Sequence, residues 1–494
     1  MLNRAVWQAC DSFRASVDSY EYKNFVLGML FLKFIADVMR DHDEGRSPDV
    51  PELFNLPLEA NFYWLLDKSP ESGNQLRLDR ALRLLELANR DKLNRVFDEI
   101  QFDSAHLGAA ARRDELARQL LQKFSRPELD LRPSRIGSLD VIGNAYEYLI
   151  ARFASDSGKK AGEFYTPAQV SELMAMLVDA QDGERIYDPA CGSGSLLLHC
   201  LRHARSRNAR SKISLWGQES KFTTWQLAKM NMFLHGESGE RIMWADSLLE
   251  PKFVDLQQQL YQFEVVVANP PFSLQEWGHA SLQQDRWKRF ARGMPPASNG
   301  DYAFLLHMLA SLDPQRGRMA VIVPGGVLFR RGAEGELRRK LLQENLIESV
   351  IALPPNLFYG TELSASILFM RSGKRTRDIL FIDASRECDA SQRKNRLRES
   401  DLQGIMQQVR SRSSTPGYAS LVSLEQVLAQ DGDLRVAAWV EAPPGGSENP
   451  DLQALLAQQE AVRRQIAASD AELRAALRAL GVLPPLHAED GDAS

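Results

Sequence analysis

The feature that most constrains the fold of this chain is a strand, a glycine-rich loop and a helix in immediate succession. A short apolar strand ends in Asp188, and the loop that follows carries Gly192, Ser193 and Gly194 before an apolar helical stretch begins. The two glycines let the backbone approach a ligand closely, and the N–H groups of a helix N-terminus can bind a carboxylate or a phosphate. A dinucleotide-binding loop has a third glycine three positions later, where this chain has leucine. The loop therefore favours a smaller ligand.

Three further strand candidates also end in polar residues. Glu219 ends the second strand and can accept from two ribose hydroxyls, whereas Asp246 ends the third and can accept from an adenine amine. Asn269 follows the fourth strand directly. Each acid taken alone is more often a solvated loop residue. Ligands of open α/β sheets bind outside the carboxyl ends of the strands, so we expect Asp188, Glu219, Asp246 and Asn269 to meet in one crevice.

The tetrapeptide Asn269-Pro270-Pro271-Phe272 favours methylation of an amino group on a flat ring. The prolines hold Asn269 and Pro270 in extended conformations. The Asn269 amide oxygen and the Pro270 carbonyl can then accept both hydrogens of an exocyclic amine, which returns electron density to its nitrogen. Phe272 can stack on the base and offset part of the cost of moving it out of a duplex. A simple turn is the alternative explanation of such a short motif.

These residues resemble the modification subunit of type I restriction-modification systems, an S-adenosylmethionine-dependent N6-adenine DNA methyltransferase. The resemblance extends to a cofactor-binding segment ahead of the glycine loop, Glu163-Phe164-Tyr165-Thr166-Pro167. It implies that Thr166 and its backbone hold the methionine carboxylate. The chain departs from the family pattern at residues 362–366, which leaves the tetrapeptide untouched.

The resemblance also implies partners. They are double-stranded DNA, a specificity subunit that reads the target sequence, a second copy of the modification subunit, and a restriction subunit in the full complex. Two other functions stay open from the residues. A protein glutamine N-methyltransferase also uses Asn-Pro-Pro, and a non-catalytic, cofactor-bound scaffold could serve a DNA-binding complex.

Three regions follow from the sequence pattern. We expect a helical N-terminal domain over residues 1–135 and an α/β methyltransferase domain over residues 136–445, with a doubly wound, Rossmann-like parallel sheet. Residues 446–494 are expected to form a partner-docking helix and a tail. Apolar residues from position 452 to 480 follow a heptad register, and such a seam requires a helical partner unless it folds back on its own domain.

Composition is compatible with a soluble, cytoplasmic protein. The chain is 44% hydrophobic and 25% charged, its most apolar early stretch is too short to span a bilayer, and no secretion signal is visible. Four cysteines show neither zinc-binding spacing nor a disulfide framework, so we expect no metal site.

The net charge of −5 is unusual for a protein that binds DNA, so the local distribution of charge matters more. Each basic cluster can be a solvated face, although the one that interleaves aromatic residues after the tetrapeptide is the best candidate for phosphate contacts. The three clusters are Arg202, Arg205, Arg207, Arg210 and Lys212; Arg286, Lys288, Arg289 and Arg292 around Trp287 and Phe290; and Arg393, Lys394, Arg396 and Arg398.

Overall fold

The computed structural model describes residues 19–46, 54–136, 143–150, 166–237, 239, 241–358, 364–389, 395–441 and 469. Its helices are α1 Ser19–Asp43, α2 Phe62–Asp67, α3 Asn74–Ala88, α4 Arg90–Leu93, α5 Ala110–Phe124, α6 Pro133–Ile136, α7 over residues 143–150, α8 Ala168–Val178, α9 Ser195–Arg207, α10 Phe222–Leu234, α11 Asp301–Ala310, α12 Ala333–Gln343, α13 Glu399–Ser411 and α14 Leu424–Ala429. Its strands are β1 Arg185–Asp188, β2 Ser214–Glu219, β3 Ile242–Trp244, β4 Val265–Ala268, β5 Arg318–Pro324, β6 Ile347–Ala352, β7 Ala365–Arg371, β8 Asp378–Asp383 and β9 Ala419–Ser423.

The N-terminal region is helical, and α1 is its central element. Every side chain from Phe25 to Val38 is buried, so the helix is covered on all sides. Lys33 is tolerated there because it pairs with Asp37 one turn later and lies 3.3 Å from the Tyr63 hydroxyl. Burial lowers the pKa of Lys33 even with that carboxylate beside it. No helix of the described ranges is both long and apolar enough to cross a membrane.

The helical core continues into the α/β region. Phe31 of α1 contacts Phe233 of α10, with ring centroids 4.8 Å apart, and Tyr146 of α7 is buried in the same cluster. Gln226 of α10 also donates to the Arg95 carbonyl at 3.0 Å. The predicted boundary near residue 135 therefore does not coincide with a break in the hydrophobic core.

The described strands form a nine-stranded sheet in the order β3-β2-β1-β4-β5-β7-β6-β8-β9. The strands β1 to β5 pair in parallel. Side chains of β4 alternate between two cores, with Val265 and Val267 on one face and Val266 on the other. The first core contains α8, α9 and α13, and the second contains α11, α12 and α14. Helices therefore cover both faces, which confirms the predicted doubly wound α/β class.

The sheet is mixed, whereas the sequence pattern predicted a parallel one. β7 lies antiparallel between β5 and β6, and β9 lies antiparallel to β8. The chain between β6 and β7 contains Pro354, Pro355 and Asn356, and Asn356 has a φ of 57°. Such turn residues interrupt the alternation of strand and helix on which the parallel prediction was based. The predicted C-terminal helix lies outside the described residues, except for Ser469, which is helical.

Candidate active site

The carboxyl edge of the sheet brings together four residues that were predicted from strand ends. Asp188 ends β1, Glu219 ends β2, Asp246 follows β3 by two positions and Asn269 follows β4 directly. Because β3, β2, β1 and β4 are consecutive neighbours in the sheet, the four residues follow one another along a single edge. This edge is the usual position of a ligand crevice in an open α/β sheet.

The glycine loop lies between the ends of β1 and β2. The Gly192 N–H donates to Glu219 Oε2 at 3.1 Å, and the neighbouring Cys191 N–H donates to the Gln218 carbonyl at 3.0 Å. Gly192 and Gly194 have φ values of 54° and 77°, which favour glycine. A Cβ at position 194 would also lie 2.7 Å from the Met232 methyl group. The loop therefore requires glycine both for its turn and for its close packing on α10.

The end of the loop is fixed from two sides. Ser193 is buried, and its carbonyl accepts from the Asn231 side chain of α10 at 3.0 Å. Ser195, the first residue of α9, donates to Glu147 of α7 at 2.6 Å. Glu147 was not predicted from the sequence, because no local pattern links it to a serine 48 positions away.

Glu147 belongs to a buried charged group. Burial raises the pKa of this carboxyl, but the neighbouring His199, His235 and Arg202 outweigh that effect and hold the pKa below its usual range. Arg202 lies 3.5 Å from the carboxylate. The helix that precedes the predicted cofactor segment is thus joined to the helix that follows the glycine loop.

The carboxyl groups of Asp188 and Glu219 both have raised pKa values. Burial, with a smaller contribution from the nearby Glu219 carboxylate, raises the pKa of Asp188 to about 8. Burial also raises the pKa of Glu219, whose oxygens accept from the backbone N–H groups of Gly192 and Lys221. Two buried carboxylates in close proximity favour a ligand that brings positive charge and hydroxyl donors.

Asp246 is partly exposed and stabilises the turn after β3. Its Oδ1 accepts from the N–H groups of Leu248 and Leu249 at 2.8 and 3.0 Å. The side chain therefore stays at the edge of the crevice.

The tetrapeptide lies beside the glycine loop, because β4 pairs with β1. Asn269 is partly buried, and its Nδ2 donates to the Thr166 hydroxyl at 3.1 Å. Pro270 is buried, whereas Pro271 and Phe272 are partly exposed. This geometry leaves the Asn269 carboxamide oxygen without a donor among the described residues.

Thr166 and Pro167 are the members of the predicted cofactor segment that the structure describes. Pro167 precedes α8, and its carbonyl accepts from the Val170 and Ser171 N–H groups at the start of that helix. Glu163, Phe164 and Tyr165 lie outside the described residues. The contact between Thr166 and Asn269 joins this segment to the tetrapeptide across 103 positions of sequence.

The chain after the tetrapeptide is anchored by α11. The Ser273 N–H donates to Asp301 Oδ1 at 2.7 Å, and Asp301 Oδ2 lies 3.1 Å from Arg330. The ring of Phe272 meets that of Phe358 edge-on, with centroids 6.1 Å apart. Three residues that no sequence motif indicated therefore support the tetrapeptide: Asp301, Arg330 and Phe358.

Comparisons with known proteins identify the family. The model of the N-6 DNA methylase family matches residues 137–445, and the model of the HsdM N-terminal domain matches residues 2–124. The chain is 30% identical to the type I restriction enzyme MpnII methylase subunit of Mycoplasma pneumoniae, over 89% of each protein.

This chain belongs to the type I restriction-modification methylase subunits.

Two other relatives support the assignment of this chain to the methylase subunits. The HindI methylase subunit of Haemophilus influenzae is 34% identical over 63% of this chain and 69% of its own length. The crystal structure of a type I restriction-modification methyltransferase subunit from Streptococcus thermophilus is 30% identical. It superposes with a TM-score of 0.80 over 89% of this chain and 99% of that subunit. The expected modification-subunit family is therefore confirmed.

The first basic cluster of this DNA methylase is largely neutralised within the protein. Arg205 pairs with Glu237 at 2.8 Å, and Arg207 pairs with Asp179. In the third cluster, Arg398 pairs with Asp401 at 2.8 Å, whereas Arg393 and Lys394 lie outside the described residues.

The second cluster corrects one expectation. Arg289 is 1% exposed and pairs with Asp285 at 2.8 Å, so it is a core residue and not a phosphate contact. It also donates to the Leu248 carbonyl at 2.7 Å and lies 3.1 Å from His307, which contacts the Tyr187 hydroxyl. Arg289 therefore connects the loop after the tetrapeptide to the turn that follows β3. Residues 285–289 are not helical, so the four-residue spacing of Asp285 and Arg289 gave no signal of this pair in the sequence.

Proposed function

We propose that this methylase subunit transfers a methyl group from S-adenosylmethionine to the N6 amine of adenine in double-stranded DNA. The observation that carries the proposal is the position of Asn269. It follows β4 beside the glycine loop and is hydrogen-bonded to Thr166 of the cofactor segment at 3.1 Å. The family comparison favours DNA as the substrate over a glutamine side chain, and favours an enzyme over a scaffold.

The residues at the carboxyl edge fit S-adenosylmethionine. The buried Asp188 and Glu219 supply acceptors for the ammonium and ribose groups of this cofactor, and Asp188 adds negative charge when it deprotonates on binding. Glu219 is assigned to the ribose hydroxyls and Asp246 to the adenine amine. The glycine loop, with Gly192, Ser193 and Gly194, is assigned to the amino-acid end of the cofactor, and the positive φ values of its two glycines fix its turn. When bound, the cofactor supplies an electrophilic methyl group on a sulfonium.

The protein contributes orientation and electrostatics. Asn269 Oδ1 and the Pro270 carbonyl accept the two hydrogens of the target amine, which makes its nitrogen more nucleophilic. Phe272 stacks on the extruded base. With the cofactor bound, these acceptors would direct the nitrogen lone pair at the methyl carbon, so that the nitrogen–carbon bond would form as the sulfur–carbon bond breaks and one amine proton would pass to water. Proximity and fixed acceptors account for most of the acceleration, so no strong general base is required.

Sequence recognition is assigned to a separate specificity subunit. We propose an assembly of two copies of this chain with one specificity subunit, joined by a restriction subunit for cleavage. Co-purification with the specificity subunit and measurement of mass by light scattering test this stoichiometry. A stable complex with a one-to-one ratio would contradict it.

Labelled methyl transfer tests the reaction. The complex with the specificity subunit is incubated with methyl-labelled cofactor and unmethylated DNA, and the nucleosides are separated by mass spectrometry. N6-methyl-2′-deoxyadenosine is the expected product. Asn269→Ala abolishes transfer and retains cofactor binding, which calorimetry measures. Label in protein, label on cytosine, or an equal loss of transfer and cofactor affinity in Asn269→Ala would refute the assignment.

A further inference from the structure

A cavity of about 790 Å³ opens at the edge of the sheet opposite the candidate active site. It lies where β6 and β8 begin and where β7 ends at Arg371, which is paired with the first residue of β5. The other end of β7, Ala365, is paired with Pro324 at the carboxyl end of β5. Six residue steps of strand separate the two edges by roughly 20 Å. The cavity is therefore distinct from the proposed cofactor crevice.

The walls of this basic cavity carry an excess of positive charge. Two carboxylates, Asp179 and Glu348, line it together with six lysine and arginine side chains. The six are Arg207, Arg371, Lys374, Arg375, Arg410 and Arg412.

Both carboxylates form ion pairs with members of this set of six cations. Asp179 pairs with Arg207, and Arg412 bridges Glu348 and Asp378. Lys374 donates to the carbonyls of Ile347, at 2.8 Å, and Asp378. Arg207, Arg412 and Lys374 therefore stabilise the walls of the cavity.

The other three cations have no anionic partner in the described part of the chain. Arg371, Arg375 and Arg410 are exposed, and their guanidinium groups donate to no described residue. Arg371 rests over the ring of Phe369, 5.8 Å from its centroid. Three guanidinium groups therefore face one cavity with their donors available.

Compensation of helix dipoles explains only part of this charge. The C-terminal ends of α8, α9 and α13 approach the cavity at Asp179, Arg207 and Arg412. Each helix end is equivalent to about half a negative charge. When Asp378, which also pairs with Arg412, is counted with the two carboxylates, the excess of lysine and arginine falls to about one or two positive charges.

We propose that the basic cavity binds a phosphate-bearing polyanion. The guanidinium fork matches the geometry of phosphate oxygens, and phosphoryl groups concentrate negative charge in a small volume. A diphosphate or triphosphate could neutralise the excess charge within one cavity. Met176 and Val409, both partly exposed, supply an apolar floor for the body of such a ligand. A nucleotide and a nucleic-acid backbone share this chemistry.

Replacing the three unpaired arginines with uncharged glutamine tests the proposal in the full-length chain. The variant Arg371→Gln, Arg375→Gln, Arg410→Gln is compared with a control that loses the same charge at exposed arginines of the helical region, Arg83→Gln, Arg90→Gln, Arg126→Gln. Calorimetry measures binding of inorganic tripolyphosphate, ATP, a short DNA duplex and hexaglutamate. Circular dichroism and the unfolding midpoint establish that both variants fold.

We expect the cavity variant to bind tripolyphosphate and ATP at least about tenfold more weakly than the control. A loss confined to the duplex, with a smaller dependence of affinity on salt, would assign the phosphate to a nucleic-acid backbone. Equal affinities of the two variants for every phosphate probe would overturn the proposal. The phosphate assignment would be overturned if hexaglutamate bound as tightly as tripolyphosphate and lost as much affinity on substitution of the three arginines. Methyl transfer by the reconstituted complex is a separate readout, so failure here is distinguishable from failure of the proposed reaction.

Discussion

The hydrogen bond between Thr166 and Asn269 leads to a graded prediction. Thr166→Val removes the hydroxyl that accepts from Asn269 Nδ2 at 3.1 Å and keeps the branched shape of the side chain. Asn269 then loses a fixed orientation but retains the oxygen that we assign to the target amine. A hydrogen bond of this kind contributes about 0.5–1.5 kcal/mol, so kcat should fall about 2- to 12-fold.

Asn269→Ala removes the acceptor itself and sets the upper limit of the effect. The loss of one preorganised partner of a reacting group costs about 100- to 1000-fold in kcat. Thr166→Val should therefore lower kcat much less than Asn269→Ala does. Thr166→Ser keeps the hydroxyl and should restore kcat to within about twofold of the native value.

The assay is steady-state methyl transfer to a duplex that carries the recognised site, by the complex with the specificity subunit. kcat and the KM for the cofactor are measured separately, because they distinguish the two roles that Thr166 can have. An effect on kcat alone supports orientation of Asn269. If Thr166→Val raised the KM for the cofactor and left kcat unchanged, Thr166 would hold the methionine carboxylate and the orientation argument would be refuted.

Three further predictions concern stacking, pH and stability. Phe272→Ala should lower kcat/KM about 5- to 150-fold, since stacking on a base contributes roughly 1–3 kcal/mol, and an unchanged ratio would remove the stacking role. Burial raises the pKa of Asp188 to about 8, so the free protein carries a protonated carboxyl at neutral pH. The folded-state pKa lies above the unfolded value, so the stability of the free protein should fall as pH rises from about 4 to about 8 and then level off. Calorimetric affinity for the cationic cofactor should increase over the same range. Asp188→Asn should reduce both slopes, and slopes unchanged by this substitution would disprove the assignment. Arg289→Met should lower the free energy of unfolding by about 3–5 kcal/mol because it leaves the buried Asp285 carboxylate unpaired. Urea unfolding should show partial recovery in the double variant with Asp285→Leu, and equal losses in the two variants would argue against the buried pair.

Local sequence patterns were sufficient for the parts of the protein that depend on neighbouring residues. The continuous apolar run before Asn269 predicted a buried strand, and the glycine loop after Asp188 predicted the turn and the helix that follow it. Their order along the chain also predicted a shared edge, since parallel strands place their carboxyl ends together. The doubly wound class and the modification-subunit family were accessible for this reason.

Long-range pairing was decided only by the tertiary structure. No local pattern indicates that Thr166 contacts Asn269, that Glu147 accepts from Ser195, or that β7 inserts antiparallel between β5 and β6. The same holds for Arg289, whose basic surroundings in sequence favoured an exposed role although packing buries it against Asp285. Sequence periodicity reports how each segment divides its own polar and apolar faces. Which face meets which partner depends on the packing of segments far apart in the chain, and at these positions packing determined which side chains reach the candidate site.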